Sequence, residues 1–126
     1  MSIQRLLTAL TLAATLGISA TAFAHEAAKG SNGGIRVDAG KYHAELVVDG
    51  TTTVALFLSD ADDKPIAATG FKANAILVID GKSQRFPLAP AEGAKLIGTA
   101  PVPVSPSVKG AVQLTAPDGS TAQAKF

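Results

Sequence analysis

Beyond an apolar leading stretch, hydrophobic and polar positions alternate with the period of β-strands, and no segment sustains the 3.6-residue period of a helix. The same unit recurs: an apolar β-prone run, an Asp-Gly pair, then another such run. Asp49-Gly50 separates Tyr42–Val48 from Thr52–Ser59, Asp80-Gly81 separates Asn74–Ile79 from Ser83–Leu88, and Asp118-Gly119 separates Ala111–Ala116 from Thr121–Phe126. Glycine enters the positive-φ region of a tight turn without steric cost and aspartate tolerates it better than most residues, so these pairs predict three hairpins. Pro87, Pro90, Pro101, Pro103, Pro106 and Pro117 argue further against helices. Pro101–Pro106 reads as an extended crossover or edge segment.

Short strands punctuated at this frequency predict an all-β fold, an immunoglobulin-like β-sandwich of about seven strands, with a small barrel as the alternative. Asp60–Lys64 and Ala91–Gly93 are too short for elements of their own and read as loops. In the first hairpin, Tyr42, Ala44, Leu46 and Val48 share one face, and His43, Glu45 and Val47 the other. A three-residue Asp49-Gly50-Thr51 loop sets Val54, Leu56 and Leu58 beside the Tyr42 face. His43 and Glu45 then point outward, with Phe57 across the ladder.

The leading stretch changes the picture of where the protein works. Arg5 precedes the apolar run Leu6–Ala20, and Ala22-Phe23-Ala24 follows it. This is the order of a cleavable signal peptide over residues 1–24, and the run is shorter than the roughly 20 residues that span a bilayer. Cleavage after Ala24 predicts a periplasmic product with no membrane insertion, in which residues 25–34 form a flexible, Gly-rich lead-in and residues 35–126 the β-domain.

Composition removes whole classes of chemistry. The 126 residues include no cysteine, which excludes disulfides, thiolate metal sites and cysteine nucleophiles. A formal charge of +1, no Trp and no basic stripe argue against nucleic-acid binding. The serines lie in turn and strand contexts outside any G-x-S-x-G elbow, and the prediction is that the protein is not an enzyme. Ser59–Pro65 gathers three aspartates but lacks the glycine and terminal glutamate of an EF-hand, so it reads as a solvated turn.

What remains is imidazole. The chain has two histidines, His25 and His43. Cleavage after Ala24 makes His25 the terminal residue, whose α-amine and ring nitrogen chelate one ion. His43 supplies a third nitrogen, a set that suits Cu(II). Glu45, Glu26 or water could add oxygen. The candidate metal ligands are therefore His25, His43 and Glu45, with Cu(II) the favoured ion and structural zinc disfavoured for want of four ligands.

Through Tyr42-His43-Ala44-Glu45-Leu46, Leu56-Phe57-Leu58-Ser59-Asp60, Lys64-Pro65 and the terminal Ala124-Lys125-Phe126, the chain resembles small periplasmic β-proteins associated with bacterial heavy-metal efflux systems. It is also similar to the extra β-domain of heavy-metal efflux adaptor proteins, which open with a His and Gly-Gly segment. The resemblance implies a periplasmic setting, a role in metal handling, an efflux component as partner, and His25 and His43 as the matching positions. Here Glu26–Asn32 intervenes between the histidine and Gly33-Gly34, and no histidine-rich tract is present. The alternative is a non-metal interaction module that docks on an efflux or envelope protein by strand-edge pairing.

Overall fold

The computed structural model describes residues 27–126; the expected signal peptide, His25 and Glu26 lie outside the described residues. The all-β expectation holds. The described strands are β1 (Ala28–Lys29), β2 (Ile35–Ala39), β3 (Tyr42–Val48), β4 (Thr53–Ser59), β5 (Lys72–Ile79), β6 (Lys82–Pro90), β7 (Lys95–Thr99), β8 (Lys109–Thr115) and β9 (Thr121–Lys125). They form one antiparallel sheet of nine strands, two more than the sequence pattern suggests, in the order β1-β2-β3-β4-β7-β6-β5-β8-β9. The additional short elements are β1, in the Gly-rich lead-in, and β7, whose five residues carry no flanking Asp-Gly signal.

The sheet curls because β6 changes partner along its length. It pairs with β5 from Ile79↔Lys82 to Ala73↔Leu88, and meets β7 through Ala89↔Ile97 and Pro90↔Leu96. Pro87 fits there because β7 pairs only with the last two residues of β6, so its missing N–H removes no bond to that neighbour. Gly98 lets the two strands meet, since a Cβ on it would lie 2.3 Å from the Pro87 carbonyl oxygen. Near the two ends of the order, β2 packs against β9, with Gly40 against Ala122.

Alternation fills the concave side. Val54, Leu56, Leu58 and Leu96 from one half of the sheet, with Leu77, Val112 and Leu114 from the other, are almost fully buried in one core. Val104 from the proline-rich crossover between β7 and β8 joins them. Tyr42 meets Phe71 edge-on, with centroids 5.3 Å apart.

The Asp-Gly turns sit where expected but are of two kinds. Asp80 and Gly81 both take positive φ, 51° and 77°, forming the two-residue loop that Ile79↔Lys82 closes. In the other two, only the glycine is left-handed, and the aspartate accepts from the backbone and hydroxyl two residues on, Thr51 for Asp49 and Ser120 for Asp118. These bonds hold the Asp49 and Asp118 carboxyls below the usual carboxylate value.

The first loop is longer than the expected three residues. Val48 pairs with Val54, a register two residues further along, because the intervening segment is tied to the crossover: Gly50 N donates to Val104 O, Val104 N to Thr51 O and Ala100 N to Thr52 O. A shift of two preserves the side-chain face, so Leu46↔Leu56 and Ala44↔Leu58 still bring the apolar residues together.

Candidate functional site

His43 and Glu45 do lie on the face of β3 away from the core, yet neither is open to solvent. Glu45 is 5% exposed. The segment expected as a flexible lead-in folds over it: β1 pairs with β2, and the turn from Gly30 to Gly34 is closed by Gly30 N donating to Gly34 O. Asn32 N and Gly34 N donate to Glu45 Oε2 at 2.9 and 2.8 Å, and Asn32 Nδ2 donates to Oε1 at 3.0 Å. The glycines are required by closeness. A Cβ at Gly30 would lie 2.1 Å from Glu45 Cδ, and one at Gly34 would lie 2.2 Å from the Leu46 carbonyl oxygen. Glu45, expected as an oxygen ligand, thus has both carboxylate oxygens engaged in holding the N-terminal segment to the sheet.

One residue along β3, His43 stands between two carboxylates. Its side chain is 15% exposed, with Nδ1 2.7 Å from Asp63 Oδ1 and Nε2 3.2 Å from Asp38 Oδ1. The hairpin register delivers Asp38: the Gly40-Lys41 turn pairs Ala39 with Tyr42, and therefore Asp38 with His43. Asp63 comes from the β4–β5 connection. That loop doubles back through the Ser59↔Pro65 bridge, while Asp60 Oδ1 accepts from the backbone of Asp62 and Lys64. Asp63 itself is left-handed at φ 61°, a conformation that aspartate tolerates and that helps carry its side chain over β3.

Arg36 Nη1 meets Asp63 Oδ2 at 2.6 Å, completing a chain of alternating charge across β2 and β3. The His43 hydrogen bond, with the nearby guanidinium, holds the Asp63 carboxyl below the usual carboxylate value, against the opposing effect of desolvation. A neutral imidazole has one donor and one acceptor nitrogen. With both nitrogens facing carboxylates, a neutral His43 ring can donate to only one of them. His43 Nε2, which a serine triad would aim at a hydroxyl, faces Asp38 instead.

Beside this group a groove of about 560 Å³ runs between the N-terminal turn and the Asp60–Pro65 loop, floored by Phe57 and edged by Lys29, Arg36 and Asp63. Among the described residues, no group of three or more His, Asp or Glu side chains converges on a point that could hold an ion. His25 and Glu26 stand outside that statement. The sequence pattern brought attention to His43 and Glu45, and to Asp63 only as one of the three aspartates read as a solvated turn, but not to Asp38, Arg36 or Asn32. Asp38 was within reach of the two-residue turn at Gly40-Lys41; Asp63 depends on a loop folding back over twenty residues of chain separation.

No known protein family, curated protein or solved structure matches the chain.

Proposed function

We propose that the protein is an exported, periplasmic metal-binding or metal-delivery protein, with Cu(II) its favoured ion and heavy-metal resistance or efflux its setting. The His25 amine and ring act with the His43 ring as nitrogen ligands. The observation carrying this reading is the register of the first three strands. Ala28 pairs with Arg36 in β2, and two residues further along β2 Asp38 pairs with His43 in β3, so the start of β1 lies two residues in register from His43. Neighbouring strands are about 4.8 Å apart, which puts β3 about 10 Å from β1. A tether of three residues from Ala28 to His25 spans up to about 10 Å, and side chains extend that reach. The clasp on Glu45 supports the reading by fixing the Gly30–Gly34 turn, and with it β1, beside β2 and β3.

A terminal chelate plus one imidazole gives three nitrogen donors, the set that tetragonal Cu(II) accepts best. The scaffold belongs to the same reading: we take the curled sheet, with its change of partner at β6, as a two-layer sandwich that is immunoglobulin-like in general shape. Intact-mass measurement of the exported protein, followed by Cu(II) titration of wild type and His43→Ala, tests it. The expected results are a mature chain beginning at His25 and at least tenfold weaker binding in the variant. A different terminus, or equal affinity in both proteins, contradicts the two-histidine site and turns the account toward strand-edge docking.

A further inference from the structure

We infer that the open edge of β6 is a docking site for an extended acidic segment of a partner protein, added to the sheet as a further strand. The inference uses neither histidine, so it stands or falls separately from the metal reading. The edge follows from register. Ile79↔Lys82 closes the two-residue Asp80-Gly81 loop, so Lys82, Gln84, Phe86 and Leu88 turn their main-chain groups toward β5, and Ser83, Arg85 and Pro87 turn theirs away. The other end of the strand gives the same parity. Ala91 N donates to Lys95 O and Ala89 pairs with Ile97, which sets the odd-numbered positions on the β7 side. β7 pairs only with Ala89 and Pro90, and among the described residues no backbone group pairs with the far side of residues 82–86. Ser83 and Arg85 are exposed, and each leaves one N–H and one C=O without a main-chain partner, at the spacing an added strand requires.

Charge decides which strand fits. β5, β6, β8 and β9 carry the cations Lys72, Lys82, Arg85, Lys109 and Lys125 and no aspartate or glutamate; Asp80 and Asp118 lie in the turns between them. Register sets Arg85, Ile76, Ala111 and Lys125 in one row of the outer face, and Ser83, the exposed Val78 and Lys109 in the next. A residue added opposite Arg85 stands about 5 Å from it on that face, where Asp or Glu makes a cross-strand ion pair. Cations and proline on a strand edge keep like edges apart, so a second copy pairing here would set Lys82 and Arg85 against their own counterparts. The same cations attract an acidic strand, and Pro87, which has no N–H to offer, ends the ladder on the β7 side. A lipid phosphate can accept from the two N–H groups but donates nothing to the two carbonyls, which favours a peptide over a membrane surface.

The test uses the exported protein labelled with nitrogen-15 and a synthetic peptide alternating Glu with Val, beside the same peptide with Lys for Glu and one N-methylated at its glutamates. Without peptide, the Ser83 and Arg85 amides are expected to exchange with solvent faster than those of Gln84 and Phe86. The Glu–Val peptide is expected to slow both and to shift resonances along β6, with an affinity that falls as salt rises. The Lys–Val and N-methylated peptides should bind about fivefold or more weakly, as should Glu–Val to Arg85→Glu. Ser83→Pro, which removes an outward N–H and leaves the ladder to β5 intact, should weaken binding likewise; Lys64→Glu, the same charge change in the β4–β5 loop, should not. Protection of Ser83 and Arg85 in the free protein means that the edge is covered and overturns the site. Equal binding of the N-methylated peptide overturns strand addition, and equal binding by Arg85→Glu and wild type overturns the acidic preference. Dimerisation through β6 without peptide assigns the edge to a second copy. Binding to phosphatidylglycerol vesicles that displaces the peptide and survives Ser83→Pro assigns it to a membrane, and either result overturns the acidic strand as its occupant.

Discussion

Glu45 is charged, almost fully covered, and held by three N–H donors from a segment with four glycines between residues 30 and 40. A buried carboxylate in that position is tolerable only while its oxygens are occupied, so the glutamate and the turn stabilise each other. Glu45→Gln puts an amide NH₂ where one of the acceptors stands. The expected destabilisation is about 1–3 kcal/mol by urea denaturation, with faster hydrogen exchange at the Asn32 and Gly34 amides. Asp63 makes a second prediction, on the acid side. Its folded pKa lies below its unfolded value, so its contribution is complete above the ordinary value of 3.8 and disappears as pH falls through the lower folded value. Asp63→Asn should therefore lose less stability than wild type between pH 7 and pH 3, and parallel losses in the two proteins would remove Asp63 from the acid response. At this scale the sequence exposed the candidates but not their burial. Alternation marks His43 and Glu45 as pointing away from the core, and it carries no information about a loop or terminal strand folding over that face.

Turns and strand crossings decide how the elements fit. The Asp-Gly pairs were legible because a local dipeptide determines a local bend; the length of the first loop was not, because bonds to Ala100 and Val104 from a distant crossover set it. Two glycines separate these effects experimentally. Gly81 lies at φ 77° with open space around its missing Cβ, so Gly81→Ala meets only backbone strain, about 1–2 kcal/mol. At Gly98 the φ is ordinary but the missing Cβ would press on the Pro87 carbonyl and Leu88 Cδ2. Gly98→Ala should cost more than Gly81→Ala in denaturation, since β7 must move away from β6. The reverse ranking would mean that the β6–β7 junction is looser than its geometry indicates. The short strand β7 was missed for the same reason that Gly98 matters: its place is determined by partners far along the chain, β4 and β6, rather than by a turn at its own ends.

At the scale of the whole molecule, one curled sheet closes around one core without disulfides, so stability rests on large apolar side chains at its centre. Leu56 is fully buried between Leu46 and Leu96, and Leu56→Ala is expected to cost about 2–5 kcal/mol, a large share of what a domain this small has. That core carries an outer face on which Arg36, Asp38, His43 and Asp63 form a connected charged group, with the N-terminal segment clasped alongside. On the function proposed above, His25 at the mature terminus binds one ion together with His43. Electron paramagnetic resonance of Cu(II) bound to the mature protein, with nitrogen-15 confined to histidine, counts the imidazoles on the ion directly. The account predicts coupling to two imidazole nitrogens in wild type and one in His43→Ala; a single imidazole in wild type, or a spectrum that His43→Ala leaves unchanged, contradicts it.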